Sequence, residues 1–343
     1  MNRRSFLRLL GTGALTSFLS PAAPFRSSSV VKPNRLREGD KVGLVSPAAP
    51  IHKPRELQIM VESMEALGLD PQLGTHVTDR YGYLAGGDRK RAEDFNRMIR
   101  DEDIRGIFLA RGGWGSSRIL PLLDYEAIRA HPKIIVGYSD GTALLLGIHA
   151  KTGLVTYHGP NGASSWNSFT VDHLRSVLFE GEAITMRNPQ TAADTLVPEK
   201  HRIRTIQSGT AEGRLVGGNL TVLTRLIGTG YLPDWEDAIF FTEDVGEDVY
   251  RIDRMLTQLK LMDALEAVRG FVFGTCKKCD PRRLIGGFTL EDVFDQHIGP
   301  FDMPAWSGAM IGHLEKKFTV PIGARASIDA DRGTITLLEP AVR

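Results

Sequence analysis

The stretch that decides the fold is Lys133–Gly153, which reads KIIVGYSDGTALLLGIHAKTG. A β-branched run, Ile134–Val136, is followed by a turn with two glycines and then by apolar residues at helical spacing. This order predicts a buried strand, a tight turn and a helix. Ser139 lies in the turn, where its hydroxyl is exposed and the following backbone N–H groups face an anion. The pattern Gly-x-Ser-x-Gly therefore predicts a nucleophilic serine, although so short a pattern also arises by chance.

Predicted strands alternate with predicted helices on both sides of this stretch. Strands are expected at 40–47, 106–110 and 154–157, and helices at 54–67, 88–101 and 116–123. Such alternation indicates an α/β fold, with a parallel sheet covered by helices on both faces. Ligand sites in these sheets lie at the carboxyl ends of the strands. Both Ser139 and the turn Arg111-Gly112-Gly113 fall at such ends.

The second half of the chain predicts a second α/β unit. A chain of 343 residues usually forms two domains. Strands are expected at 238–242, 270–274 and 334–338, with a further strand, Ala309–His313, ending in a histidine, and helices are expected at 220–228 and 249–262. The predicted organisation is a leader and linker at 1–34, a first domain at 35–165, an interdomain connection at 166–205 and a second domain at 206–343.

The N-terminus has the three-part pattern of an export signal. Arg3 and Arg4 precede a short apolar segment, 9–19, and then the small residues SPAAP. A paired arginine in this position is typical of a twin-arginine signal, and the apolar segment is too short to span a membrane. The sequence therefore predicts a periplasmic or otherwise exported protein that meets the twin-arginine translocase during export.

Composition excludes some classes of function. The chain is 42% hydrophobic and 24% charged, as is usual for a soluble globular protein. Its formal charge of +1 gives no electrostatic reason to expect a nucleic-acid partner. The two cysteines, Cys276 and Cys279, form one Cys-x-x-Cys pattern, which is a weak zinc signal. A disulfide and two unpaired thiols both remain open.

A nucleophilic serine needs a base and an acid. A base must take the proton of the serine, and a carboxylate must orient the imidazole that does so. Among nine histidines, His313 is well placed, and Glu243 at the end of a predicted strand is the best acid. For each of these two residues a role outside catalysis stays open at this point. His313 is alternatively an ordinary loop histidine, and Glu243 is alternatively an acid that stabilises the N-terminus of the following helix.

Six blocks of sequence resemble one family. The chain is similar to the LD-carboxypeptidase family of serine peptidases, which includes the microcin C7 self-immunity peptidases, from about Gly39 to the C-terminus. The blocks are VGLVSPAAP, ARGGWGSSRILPLLD, IIVGYSDGTALLLGIHAKTGLVTYHGP, LVGGNLTVLTRLIGTGYLPDWEDAIFFTEDVGEDVYRIDRMLTQL, FVFGTCKKCDP and GHLEKKFTVPIGARASID. The resemblance implies a flavodoxin-like N-terminal domain, a smaller swivelling-type C-terminal α/β domain and an active site in the cleft between them.

The resemblance also implies the site residues. Ser139 is the nucleophile, Glu243 the acid and His313 the general base, and no metal or other cofactor takes part. Backbone N–H groups of Asp140 and Gly113 are expected to form the oxyanion hole.

The substrate implied by the resemblance is a murein tetrapeptide, from which family members remove the terminal D-alanine by cutting an L,D bond. The free carboxylate of such a substrate needs a cationic or N–H-rich partner, which Arg111 or Arg251 offers. For Arg251 a surface pair on its own helix is favoured. Trp114 stands at a position where the resemblance leads us to expect a tyrosine, and its larger ring is expected to narrow the substrate pocket. The resemblance further implies pairing as a homodimer.

Two rival functions share some of these features. An exported α/β-hydrolase esterase has the same serine turn, but it needs a histidine after the last strand, whereas a strand is predicted after His313. A periplasmic binding protein without hydrolytic activity gives no reason for Ser139, Glu243 and His313 each to lie at a strand end.

Overall fold

The strands of the protein form two sheets. The computed structural model describes residues 30–189, 200–279 and 287–343. The first sheet has six strands and the second has eight. The predicted export signal lies outside the described residues, and no helix within them is long and apolar enough to cross a bilayer. The predicted linker ends earlier than residue 34, because Val31 forms a parallel bridge with Leu154.

The first sheet contains the serine turn. Its parallel strands lie in the order β2-β1-β3-β4-β5. This is the strand order of flavodoxin-like folds, so the prediction for the first domain is confirmed. The strands are β1 (Lys41–Val45), β2 (Asp70–Leu73), β3 (Ile104–Leu109), β4 (Ile134–Gly137) and β5 (Thr156–His158), and the helices of this part are α1 (Pro54–Ala66), α2 (Asp88–Arg100), α3 (Ser116–Ile119), α4 (Tyr125–Ala130), α5 (Thr142–Thr152) and α6 (Ser168–Arg175).

The second sheet has a parallel centre, β8-β9-β10-β11, with antiparallel strands on both sides. One of its strands, at 185–187, lies within the stretch predicted as the interdomain connection, and a second, at 204–207, begins there; residues 190–199 of that stretch lie outside the described part. The strands are β6 (Thr185–Arg187), β7 (Arg204–Gln207), β8 (Thr210–Asn219), β9 (Ala238–Val245), β10 (Gly270–Lys277), β11 (Ala305–Ser307), β13 (Arg325–Asp329) and β14 (Thr334–Leu337), and the helices are α7 (Leu220–Thr224), α8 (Val249–Leu261), α9 (Ala264–Ala267) and α10 (Leu290–His297).

The second half of the chain contributes one strand to the first sheet. β12 (Val320–Ile322), from the far end of the sequence, pairs antiparallel with β5 at the edge of the first sheet. All three residues of β12 are buried. The stretch predicted as a separate C-terminal domain, 206–343, therefore contributes to the first sheet, because its apolar Val-Pro-Ile segment covers the exposed edge of β5.

The predicted and observed strands differ at two places. The expected strand Ala309–His313 is wrong, because the strand in this region is Ala305–Ser307 and His313 lies in the loop after it. β8 was not predicted, since its glycines have low strand propensity. Those glycines are required by packing: a Cβ on Gly217 would lie 1.6 Å from the carbonyl oxygen of Phe241.

The two cysteines form a disulfide between Cys276 and Cys279, which decides between the two open alternatives. Cys276 lies near the end of β10, where it pairs in register with Asp244 of β9.

Candidate active site

Ser139 occupies a strained turn between β4 and α5. It has a positive φ of 61°, which is unusual for a residue other than glycine. Residues in such strained conformations cluster at functional sites. The flanking glycines are explained by crowding, since a Cβ on either Gly137 or Gly141 would lie 2.6 Å from Cδ1 of Leu109. The turn thus presents the serine side chain at the carboxyl end of β4, as the sequence predicts.

Ser139, His313 and Glu243 form one hydrogen-bonded chain. Nε2 of His313 lies 3.0 Å from Oγ of Ser139, and Nδ1 lies 2.8 Å from Oε2 of Glu243. Glu243 is fully buried within β9, which extends beyond the predicted strand end, and His313 is partly exposed. This geometry lets the imidazole accept the serine proton while the carboxylate holds the other ring nitrogen.

Gly312 allows the histidine to approach the acid. Its φ is 108°, and a Cβ there would lie 2.4 Å from Oε2 of Glu243. Any larger residue would therefore push the loop that carries His313 away from β9.

A glycine turn lies against the serine. A Cβ on Gly112 would lie 2.8 Å from Oγ of Ser139 and 3.5 Å from the backbone nitrogen of Asp140. Gly113, with a φ of 121°, follows in the same turn. The carboxylate of Asp140 is occupied elsewhere: it accepts a 2.7 Å hydrogen bond from the backbone N–H of Ser116, and burial raises its pKa. Within the described turns and loops, neither the N–H of Gly113 nor that of Asp140 donates to another group.

Arg111 and Trp114 lie in the same turn but are not hydrogen-bonded to the three residues. Nη1 of Arg111 is 3.5 Å from Oε2 of Glu56, in a half-buried ion pair. Trp114 is 46% exposed and packs edge-to-face on Tyr83, at 5.6 Å between ring centroids. Both side chains are accessible at the rim of the site.

Arg251 does not reach the site. Its guanidinium pairs with Glu247 at 3.2 Å and with Asp248 at 3.9 Å, the two residues that directly precede α8, and the side chain is half exposed. The predicted surface pair is confirmed.

A second histidine lies close to the site without joining the hydrogen-bonded chain. His158, at the end of β5, packs edge-to-face on Phe241 and is buried. Neither of its ring nitrogens has a hydrogen-bond partner in the described part of the chain. Burial lowers its pKa to about 4, so the ring is neutral at physiological pH. His313 is therefore the histidine available to the serine.

Two family models match the chain. The model of the LD-carboxypeptidase N-terminal domain matches residues 42–159, and that of the C-terminal domain matches residues 212–328. The chain belongs to the LD-carboxypeptidase family. Ser139 falls within the first match, and Glu243 and His313 fall within the second.

Curated relatives share this assignment across nearly their whole length. A probable murein peptide carboxypeptidase of Bacillus subtilis is 37% identical over 89% of this chain and 94% of the relative. A murein tetrapeptide carboxypeptidase of Pseudomonas aeruginosa is 30% identical over 85% of this chain and 94% of the relative. The solved microcin C7 self-immunity protein in complex with aspartyl sulfamoyl adenosine is 28% identical, with a TM-score of 0.83 over 91% of this chain and 100% of that one. The protein is a carboxypeptidase.

Sequence reasoning missed two buried side chains beside Glu243 in this LD-carboxypeptidase. The amide nitrogen of Asn219 donates to Oε1 of Glu243 and to Oδ1 of Asp244, at 3.2 Å each. The backbone N–H of Asn219 donates to Oγ1 of Thr142, at the start of α5. Burial, with a further contribution from the charge of Glu243, raises the pKa of Asp244 to about 6. The block LVGGNL marked Asn219 as part of a family motif. Its contacts with Glu243 and Asp244 were not predictable, because those residues lie far away along the chain.

We expect Asn219→Ser to lower kcat about ten- to hundredfold with little change in KM. The variant loses a hydrogen bond to a charged acceptor, which contributes about 1.5–3 kcal/mol, and Glu243 is then held less firmly against His313. Serine still caps α7, where the side chain of Asn219 accepts from the N–H of Val222. Steady-state kinetics and the pH profile of kcat, with thermal unfolding as the control for folding, check this expectation. A wild-type kcat would show that the amide does not position the acid.

Proposed function

We propose that this carboxypeptidase releases the C-terminal D-alanine from murein tetrapeptides by hydrolysing an L,D amide bond. Ser139 is the nucleophile, His313 the general base and Glu243 the acid that orients it. The observation that carries the proposal is the hydrogen-bonded chain from Ser139 through His313 to Glu243. The murein peptide and murein tetrapeptide names of two relatives support the substrate class.

The reaction proceeds by acyl transfer. Oγ of Ser139 bonds to the scissile carbonyl carbon while its proton moves to Nε2 of His313, and Glu243 stabilises the imidazolium through Nδ1. The C–N bond then breaks as Nε2 returns the proton to the amine of the departing D-alanine. A water molecule, deprotonated by the same nitrogen, attacks the acyl-enzyme and restores the serine hydroxyl.

The oxyanion of the tetrahedral intermediate is stabilised by the backbone N–H groups of Gly113 and Asp140. Two observations support this assignment: the glycine turn lies against Ser139, and neither N–H has an acceptor in the described turns and loops. Preorganised donors of this kind contribute several kcal/mol to catalysis of acyl transfer. Arg111 and Trp114, at the rim, contact the remainder of the peptide.

A peptide panel tests the proposed function. The tetrapeptide L-Ala-D-Glu-meso-diaminopimelate-D-Ala is incubated with the protein, alongside the same peptide ending in L-alanine, and the released amino acid is quantified by chiral chromatography. We expect D-alanine from the first peptide and no alanine from the second. Release of the L-isomer at the same rate contradicts the proposed specificity for an L,D bond. Hydrolysis of simple esters only contradicts the proposal and favours an esterase. Tight peptide binding without turnover favours a binding protein.

A second candidate substrate is an aminoacyl sulfamoyl nucleoside. The structural similarity to the microcin C7 self-immunity protein, solved with aspartyl sulfamoyl adenosine, favours including it. Cleavage of this compound at a higher kcat/KM than the tetrapeptide assigns the protein to peptide-antibiotic inactivation.

The export signal is part of the proposal. The twin-arginine pattern at Arg3 and Arg4 predicts transport of the folded protein by the twin-arginine translocase into the periplasm or an equivalent compartment. The disulfide between Cys276 and Cys279 suits an oxidising compartment. A homodimer, implied by the family resemblance, remains a prediction for light scattering to test.

We expect residues 1–34 to export a folded fluorescent reporter, and the double substitution of Arg3 and Arg4 by lysine to abolish that export. Lysine keeps the charge but not the paired guanidinium groups of the signal, so a general effect of a basic N-terminus is controlled for. Fractionation of cells with and without a functional twin-arginine translocase is the measurement. Export of the lysine variant at the wild-type level would contradict the assignment.

A further inference from the structure

Lys317 places a buried ammonium group beside the active site. It lies in the loop between His313 and β12, and only 3% of the residue is exposed. Its backbone N–H donates to Oγ1 of Thr170 on α6, which fixes the loop. Nζ lies 5.3 Å from the centroid of the Tyr138 ring, and that ring is 5.0 Å from the ring of His313. The ring of Tyr138 therefore contacts both the ammonium and the imidazole of the general base.

Within the described part of the chain this ammonium forms neither a hydrogen bond nor a salt bridge, and its direct contact there is with the face of the Tyr138 ring. The other buried lysine, Lys133, is satisfied: its Nζ donates to the carbonyl oxygens of Met98 and Asp101. An ammonium at the end of a buried side chain, without an acceptor, is poorly solvated, so a group that enters the site to supply an acceptor gains free energy.

The charge of Lys317 is retained around neutral pH. Burial lowers its pKa to about 8, and the nearby charge of Lys277 acts in the same direction. The carboxylates of Glu243 and Glu315 oppose this shift. Below about pH 8 the side chain is mostly cationic, so it remains able to bind an anion at physiological pH.

The two arginines considered for the substrate carboxylate are engaged elsewhere. Arg251 pairs with two carboxylates just before the start of α8, and Arg111 pairs with Glu56. In a carboxypeptidase the free carboxylate of the departing residue lies only a few bonds beyond the scissile amide, so a cation close to the nucleophile is well placed to bind it. Tyr138, on which Lys317 rests, directly precedes Ser139 in the chain.

We propose that Lys317 binds the C-terminal carboxylate of the peptide substrate, with the ring of Tyr138 as the wall of this subsite. Lys317 thereby determines that the protein cleaves terminal residues and not internal bonds. The inference rests on the proposed function for the identity of the peptide. Its chemistry, an ammonium bound to a carboxylate, applies to any peptide with a free C-terminus.

The test compares a free and an amidated C-terminus. Wild type and Lys317→Met are assayed on the tetrapeptide ending in D-alanine and on the same peptide ending in D-alaninamide. We expect kcat/KM of the variant to fall about ten- to hundredfold on the free acid, mainly through KM, and to remain within about twofold on the amide. Lys316→Met, the same substitution at the neighbouring position, is expected to leave the ratio of the two substrates unchanged.

Two outcomes overturn the proposal. Equal losses on both peptides would mean that Lys317 acts on the triad and not on the carboxylate, and no loss would remove it from the site. Reaction of Ser139 with a fluorophosphonate probe, together with thermal unfolding, verifies that the variant is folded and its serine reactive.

Calorimetry separates this proposal from the proposed function. Binding of the tetrapeptide to Ser139→Ala is compared with binding to Ser139→Ala/Lys317→Met, which needs no turnover. A wild-type protein that binds but does not cleave the tetrapeptide contradicts the proposed function, whereas equal affinity of the two variants contradicts the role of Lys317.

Discussion

Ser139→Ala is expected to lower kcat for D-alanine release by about 10⁴- to 10⁶-fold while peptide binding is retained. Without Oγ no acyl-enzyme forms, and the remaining rate comes from oxyanion stabilisation and substrate positioning alone. Alanine also fits the strained turn poorly, because its φ of 61° is unfavourable for any residue with a Cβ. That strain is present already in the wild type, so the fold should survive.

The measurement is single-turnover release of D-alanine, with peptide affinity measured by calorimetry. Ser63→Ala is a matched control, because Ser63 lies on α1 and its hydroxyl bonds only the carbonyl oxygen of Ile59. The control should keep the wild-type rate. Substantial release by Ser139→Ala would exclude a serine acyl-enzyme and leave direct attack by water as the mechanism.

Glu243→Gln is expected to lower kcat about 10⁴-fold, with a small change in KM. The carboxylate accepts a hydrogen bond from the N–H at Nδ1 of His313, which leaves Nε2 free to act as base towards Ser139. A glutamine amide can instead donate to Nδ1, which selects the wrong tautomer and removes the charge that stabilises the imidazolium. Glu126→Gln is the matched control, since that acid is 90% exposed and pairs with Arg129 on the surface. A kcat within tenfold of the wild type would remove Glu243 from the triad.

Glu243→Gln also changes the pH dependence of stability, through the neighbouring Asp244. Burial and the charge of Glu243 raise the pKa of Asp244 from its ordinary 3.8 to about 6. The neutral form of Asp244 therefore stabilises the fold at low pH, and this contribution is lost as the pH rises through about 6. Glutamine at 243 removes the charge repulsion and lowers the pKa of Asp244. We expect the free energy of unfolding to fall less between about pH 4 and 6 in the variant than in the wild type.

The residues around Ser139 were predictable because their signals are local. β-branched residues, two glycines and helical periodicity lie within Lys133–Gly153, and the strand, turn and helix follow from neighbouring side chains alone. The helices at 54–67, 88–101 and 249–262 were predictable for the same reason and appear within one residue of those bounds.

Glu243 and His313 were only candidates from the residues themselves, and the resemblance to the family selected them. His313 was assigned to a strand that does not form, and its position comes from a loop whose shape depends on Gly312. β8 was missed because its glycines are explained only by the atoms of Phe241 and Thr142 packed against them.

By itself the sequence determined the serine turn, the two-part α/β architecture and the neutral overall charge. The tertiary structure decided which imidazole meets the serine, which carboxylate lies behind it and where the ammonium of Lys317 points. The partners of His313 are 174 and 70 residues away along the chain, at Ser139 and Glu243. Periodicity reports which face of an element is buried, but it carries no information on which distant element covers that face. The distances from His313 to Ser139 and Glu243 are set only when the two sheets pack together, with β12 from the second half of the chain completing the first sheet.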